Sequence, residues 1–292
     1  MKKTLLIATI IFAASILIYA TSANKANLHI GTTQFVPTKI DFATEEAPLQ
    51  IADVKERFER ELLINANLDA STMLIIKRSN RAFPIIEPIL KKNNIPDDFK
   101  YLAVIESALT NATSSAGAKG YWQFMTATAK EKGLEVSEMV DERYDLEKST
   151  QAACEYLTQA KAKFGTWTLA AASYNAGMSG IFKQLEQQNA DNYYDLLLNE
   201  ETSRYVFRIL ALKAIMKNPE SFGFQVNEKE LYENLPVKKL QIDTTITDLS
   251  QFAKAQGINY KILKIHNPWL RDKKLSNPTK KQYTIQIPTA GY

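Results

Sequence analysis

The chain has 292 residues, 45% apolar and 23% charged, with a formal charge of +4. These values are ordinary for a globular protein of one or two domains. Cys154 is the only cysteine, which excludes an intramolecular disulfide framework, and His29 and His266 lack the spacing of a zinc site. No metal and no cofactor are expected.

Lys2 and Lys3 precede an apolar run over residues 5–20, followed by Ala20, Ser22 and Ala23. The run falls short of the roughly 20 residues of a membrane span. Its layout is that of a secretory signal, so residues 1–23 are set apart from the fold. An uncleaved amino-terminal anchor, with membrane association through it, is the alternative. Residues 24–50 have mixed polarity, no sustained period, and Pro37 and Pro48, and read as a linker. Residues 51–93 read as a helical extension. Val54, Phe58, Leu62 and Leu63 mark a first helix, and residues 70–83 and 84–93 continue as helix with a break near Pro84.

Residues 96–109 form the next predicted helix. Pro96 suits a first turn, and Asp97 and Asp98 suit the positive end of the helix dipole. Phe99, Leu102, Ala103 and Glu106 fall at i, i+3, i+4 and i+7, so the apolar stripe ends in a carboxylate. Desolvation there raises a carboxyl pKa and makes Glu106 a candidate general acid. A glutamate at the edge of the stripe, half exposed or paired with an arginine, fits the same spacing. The small and turn-forming residues 111–120 predict a loop. It leads into Tyr121-Trp122-Gln123-Phe124-Met125, three aromatics around one amide, which suits either a sugar-binding cleft or a core cluster. Helix is predicted over 126–132, ended by Gly133.

Asp145 or Ser149 is placed to cap a helix over 150–164, which Gly165 ends. Residues 167–175 bring Tyr174 and Asn175 to a helix end, and 181–187 suit a short helix. A helix over 200–217 carries Tyr205, Ile209, Leu212 and Met216 on its inward side. No strand is expected between 51 and 217. After an irregular linker over 218–236, residues 237–292 hold ten Lys or Arg against three Asp, a net of +7. Strands over 239–242 and 283–288 and helices over 247–256 and 259–265 predict a small βααβ module. Its basic surface favours polyanions. No nucleic-acid partner is expected, because no reading motif is present.

Four blocks in order carry a resemblance. They are Glu106-Ser107, then Gly117-Ala118-Lys119-Gly120-Tyr121-Trp122-Gln123-Phe124-Met125, then Ala172-Ser173-Tyr174-Asn175-Ala176-Gly177, then Glu201-Thr202 with Tyr205-Val206. With them the chain resembles the lytic murein transglycosylases of the membrane-bound D type, whose catalytic domain has the soluble-transglycosylase, goose-type lysozyme-like fold. The resemblance implies a mainly α fold, with a lysozyme-like helical domain over 94–217. Residues 237–292 are similar to a divergent LysM module, a glycan binder, although Thr244-Thr245-Ile246 stands where a glycine-aspartate opening is usual. It further implies Glu106 as the sole acid/base, and Ser107, Gln123, Met125, Tyr174, Asn175, Glu201 and Tyr205 as residues around the bound sugar. The implied partner is the peptidoglycan glycan strand, met by a monomer exported to the bacterial periplasm. Two alternatives stand beside the transglycosylase reading. One is a hydrolytic muramidase, with Glu201, Asp141, Glu142 or Asp145 as a second carboxylate. The other is an inert wall-binding protein.

Overall fold

The computed structural model describes residues 35–291, so the export signal expected at residues 1–23 lies outside the described residues. Among the described residues no helix is long and apolar enough to cross a membrane.

A two-residue hairpin, β1 (Asp41–Phe42) and β2 (Glu45–Glu46), opens the described chain. The sequence reads as an irregular lead-in here, but the hairpin is built into the core. Phe42 is fully buried, with its ring centroid 4.9 Å from that of Phe99. Two helices follow, α1 (Ala52–Ala66) and α2 (Asp69–Lys92). The break expected near Pro84 is absent, and α2 runs through both Pro84 and Pro88. A proline inside a helix costs about 3 kcal/mol. Here Ile75, Ile76, Ala82, Ile86 and Leu90 are all buried along the helix. Each isoleucine and the leucine contribute about 1.5–3 kcal/mol when fully buried, which together outweighs the lost hydrogen bonds.

The stretch predicted as one helix over 96–109 is a 3-10 turn, Asp97–Phe99, feeding the shorter helix α3 (Lys100–Ser107). Long-range contacts hold the opening turn. Asp98 accepts from Lys213 Nζ at 2.6 Å and from the Ala43 amide at 2.8 Å. Five more helices complete the body: α4 (Thr126–Glu131), α5 (Leu146–Phe164), α6 (Trp167–Ala176), α7 (Met178–Gln188) and α8 (Glu200–Lys217). Asp145 is the residue that caps α5, accepting from the Lys148 amide at 3.0 Å. Glu45 of the hairpin caps α6, taking the Trp167 and Thr168 amides at 2.6 and 2.8 Å. The main pairings are α1 with α8, α5 with α6, α2 with α5, and α3 with α8. Strand pairing between residues 51 and 217 is limited to isolated bridges among the described residues.

The terminal segment consists of β3 (Val237–Ile242), α9 (Leu249–Ala255), α10 (Tyr260–His266) and β4 (Tyr283–Pro288). β3 and β4 pair antiparallel from Val237 opposite Pro288 to Ile242 opposite Tyr283. Asp248 and Asn259 cap the two helices. The core of this segment includes Leu249, Leu263, Trp269 and Ile285, and it also takes in Val140 and Tyr144 from the loop before α5. Backbone bonds join the two parts, from Asp141 N to Trp269 O at 2.9 Å and from Arg271 N to Met139 O at 2.8 Å. Part of the basic charge is used here. Lys281 meets Glu135 and Glu142 at 2.6 and 3.2 Å, and Lys239 meets Glu147 at 2.8 Å.

Gly120 sits at φ +84°, and a Cβ built on it would lie 1.9 Å from the backbone oxygen of Arg143. Neither strain can relax by moving a side chain. Gly120→Ala is expected to destabilise the protein by more than about 2 kcal/mol, read as a lowered midpoint in urea or heat melts. A melt like that of the parent would contradict the packing.

Candidate active site

Glu106 lies in the last turn of α3, at the end of the stripe formed by Phe99, Leu102 and Ala103, all buried. Ala108 and Leu109 follow at φ 50° and 57° and turn the chain aside. On the facing helix α8, Glu201, Tyr205 and Arg208 fall at i, i+4 and i+7 and share one face. Tyr205 is 2% exposed and donates its hydroxyl to Oε1 of Glu106. Arg208 donates from Nη2 to the carbonyl of Ile105 at 3.2 Å, which ties α8 to the last turn of α3.

Burial pushes the Glu106 carboxyl up to about 7. The Tyr205 hydrogen bond and the Arg208 charge pull it down, and the Glu201 charge adds to the rise. A carboxyl so placed exchanges its proton near neutral pH. Burial also holds the Tyr174 and Tyr205 phenols well above their ordinary value, so both remain hydroxyl donors.

The other residues expected around the site differ in what they touch. Asn175, at the end of α6, donates to Glu201 Oε1 at 3.0 Å and accepts from the Thr202 hydroxyl at 2.8 Å. Its amide therefore fixes the first turn of α8, which Asn199 caps by accepting from the Thr202 amide at 2.9 Å. Tyr174 donates to the carbonyl of Trp122 at 2.9 Å and lies near enough to Glu106 to feel its charge. Gln123 adopts φ 49°, and its Nε2 donates to the carbonyls of Ala112 and Gly120 at 3.1 and 2.8 Å, holding the loop closed. Met125 is 46% exposed at the start of α4. Ser107 is buried, and its hydroxyl donates to Ala103 O at 3.2 Å, back onto its own helix. Trp122 and Phe124 are core side chains: Trp122 is fully buried and donates from Nε1 to the Thr150 hydroxyl at 2.9 Å. Their rings do not offer the open stacking surface of a sugar platform.

Several contributors escaped the sequence reading. Arg143 is buried and pairs with Asp141 through Nε at 2.9 Å and Nη2 at 2.8 Å. Its Nη1 reaches Phe124 O at 3.2 Å and the Thr126 hydroxyl at 3.0 Å, so it braces the loop that carries Gln123 and Met125. Arg208 could have been found from its spacing to Glu201 and Tyr205. Of the four candidates for a second carboxylate, Asp141 is held by Arg143, Glu142 by Lys148 and the Glu135 amide, and Asp145 by the cap of α5. Glu201 alone acts electrostatically on Glu106. Glu201 and Arg208 line an open cavity of about 350 Å³, and Ala176 and Thr202 line a second of about 460 Å³.

Residues 83–197 match the family model described as the transglycosylase SLT domain, and residues 238–291 match the soluble lytic transglycosylase C-terminal LysM-like domain. The chain is 30% identical over 184 residues to membrane-bound lytic murein transglycosylase D of Escherichia coli (strain K12), covering 61% of this chain and 40% of that protein. The same figures hold for the protein of that name from Escherichia coli O6:H1 (strain CFT073). The chain thus spans 40% of the length of these curated relatives. It carries an SLT domain, mainly α-helical, followed by a LysM-like module, and it is related to membrane-bound lytic murein transglycosylase D.

The raised pKa has a consequence for stability that does not depend on function. The folded state holds the Glu106 proton more tightly than the unfolded chain, whose value is near 4.5. The stabilisation is therefore complete below 4.5 and is lost as pH rises through about 7. Glu106→Gln removes this loss. Urea melts are expected to show the variant about 3 kcal/mol more stable than the parent above neutral pH, with little difference at pH values below 4.5. An equal difference at both ends would contradict the burial of an ionisable Glu106.

Proposed function

We propose that the chain is a peptidoglycan lytic transglycosylase that cleaves the β-1,4 bond between N-acetylmuramic acid and N-acetylglucosamine and leaves a 1,6-anhydro end. The observation that carries this reading is the desolvated Glu106 carboxyl, held by the Tyr205 hydroxyl where the four sequence blocks meet. The matches to the SLT and LysM-like families support it. In this reading residues 94–217 are the catalytic domain, and residues 237–292 add contact with the glycan strand. The protein works in the periplasm as a monomer, exported by residues 1–23.

Tyr205 occupies Oε1, which leaves Oε2 of Glu106 to carry the transferable proton. That proton passes to the glycosidic oxygen, and the bond to C1 of the muramic residue breaks. Positive charge develops at C1, with the acetamido group of the same sugar in support. Glu106 is now a carboxylate, eased by the Tyr205 donor and the Arg208 charge yet still desolvated, and so a ready base. It takes the proton of the C6 hydroxyl, whose oxygen closes on C1. The nucleophile lies within the substrate, so ring closure is intramolecular and needs no second carboxylate. No water and no cofactor takes part.

The competing outcome is hydrolysis, with Glu201 activating a water. Digestion of purified sacculi followed by mass analysis separates the two. The lyase route gives anhydro ends, one water lighter than reducing ends, and reducing ends alone would sink it. Glu106→Gln is expected to lower turnover by about 10²–10⁴-fold while glycan binding persists. Unchanged turnover would remove Glu106 from the acid/base role and favour an inert wall-binding protein.

A further inference from the structure

A third cavity, also of about 460 Å³, opens between α2, the connector before β3, and the LysM-like module. Its volume lies in the range of small-ligand sites. Among the hydrogen-bonding side chains on its walls, the guanidinium of Arg81, the hydroxyl of Tyr121 and the imidazole of His266 have no hydrogen-bond or ion-pair partner among the described residues, and the guanidinium lies over the ring of Tyr232, 5.8 Å from its centroid. They come from three separate parts of the chain. Arg81 is close enough to act electrostatically on both of the others, lowering the pKa of His266 after burial does so and opposing the rise that burial causes in Tyr121. Two of the carboxylates on the walls are already engaged, which leaves Glu233 on the connector as the unpaired one. Glu147 is paired with Lys239 at 2.8 Å, and Asp145 is taken up by the cap of α5. Asn111, on the same wall, keeps its side-chain oxygen from solvent without a donor.

The cavity is also apolar. Ile265 is 57% exposed on the module side, and Ile85 and Trp269 face it from either wall. Glu233, exposed on the connector, lines the cavity and has no ion-pair partner among the described residues. A neutral sugar would leave the Arg81 charge uncompensated. A doubly charged phosphate would meet Asp145 and Glu233 as well as Arg81. A zwitterion with an apolar middle satisfies all of these groups.

We propose that this cavity binds a short peptide, its carboxylate held by Arg81, Tyr121 and His266, its apolar part against Ile85 and Ile265, and an amine directed to Glu233. A guanidinium, a phenol and an imidazole together supply the planar set of donors that a carboxylate accepts. The site does not depend on Glu106. Its peptide could arrive free or attached to the sugar of a wall polymer, and the same chemistry serves both.

Calorimetric titration of the full chain tests this with the tripeptide Ala-Leu-Ala as the free acid. Saturable binding is expected, about tenfold weaker after Arg81→Gln and about tenfold weaker for the same peptide amidated at its end. The His266 imidazole has no hydrogen-bond or ion-pair partner among the described residues, and the Arg81 guanidinium has only the ring of Tyr232, 5.8 Å from its centroid, so His266→Ala should melt with the parent and Arg81→Gln close to it, and His266→Ala should also weaken binding. Glu106→Gln should bind as the parent does, which separates this site from the cleavage site. Absence of saturation, binding indifferent to Arg81→Gln, or full competition by inorganic phosphate would overturn the proposal. A muramic-acid-linked form of the peptide that binds more tightly than the free one assigns the ligand to the wall polymer, and equal binding assigns it to free peptide.

Discussion

A half-buried carboxyl group at the end of a short helix is the constraint around which this structure is arranged. A buried carboxylate is unfavourable unless its environment compensates, and the compensation here is partial by construction. Tyr205 supplies one donor, and Arg208 supplies a charge from the next turn of the same helix, tied to the backbone of α3 rather than to the carboxylate itself. Burial still wins, and the group sits near the neutral range, where donating and accepting a proton are both accessible. Full pairing with an arginine would have given a permanent anion, and full exposure an ordinary acid.

Holding that balance requires α3 and α8 to keep their separation, and much of the surrounding chain does this. Asn175 fastens the opening of α8 to the end of α6, and Glu45 caps α6 from the hairpin. Lys213, buried near the far end of α8, reaches Asp98 in the turn before α3 and Asp41 in the hairpin. The Asp141–Arg143 pair fixes the loop that closes over Tyr174. The terminal module is attached on the far side of that pair, where Trp269 accepts the Asp141 amide. Its exposed ion pairs to Glu135 and Glu147 add little each. The shared core of Val140 and Tyr144 with the module holds the contact.

The sequence was legible where local rules decide. The stripe ending in Glu106, the helix over 200–217, the glycine stops and the two terminal strands follow from period and turn chemistry. The blocks expected around Glu106 were read through resemblance to a family and not through local rules. What stayed hidden depends on partners far apart in sequence. Nothing near Arg143 announces that its side chain will hold the loop at 124–126, and nothing near Phe42 announces burial beside Phe99. Pro84 is a sound local signal for a break, overruled by apolar burial on both sides of it. The aromatic block was ambiguous between cleft and core, and its two most apolar members went to the core because Thr150 offered Trp122 a buried partner.

The central claim is that Glu106 holds its proton near neutrality because the fold desolvates it. Carbon-13 NMR of the Glu side-chain carboxyls, with Glu106 assigned by its absence in Glu106→Gln, reads this directly. A titration midpoint close to 7 is the predicted result. A midpoint near the ordinary 4.5 would show a solvated carboxylate and contradict the account.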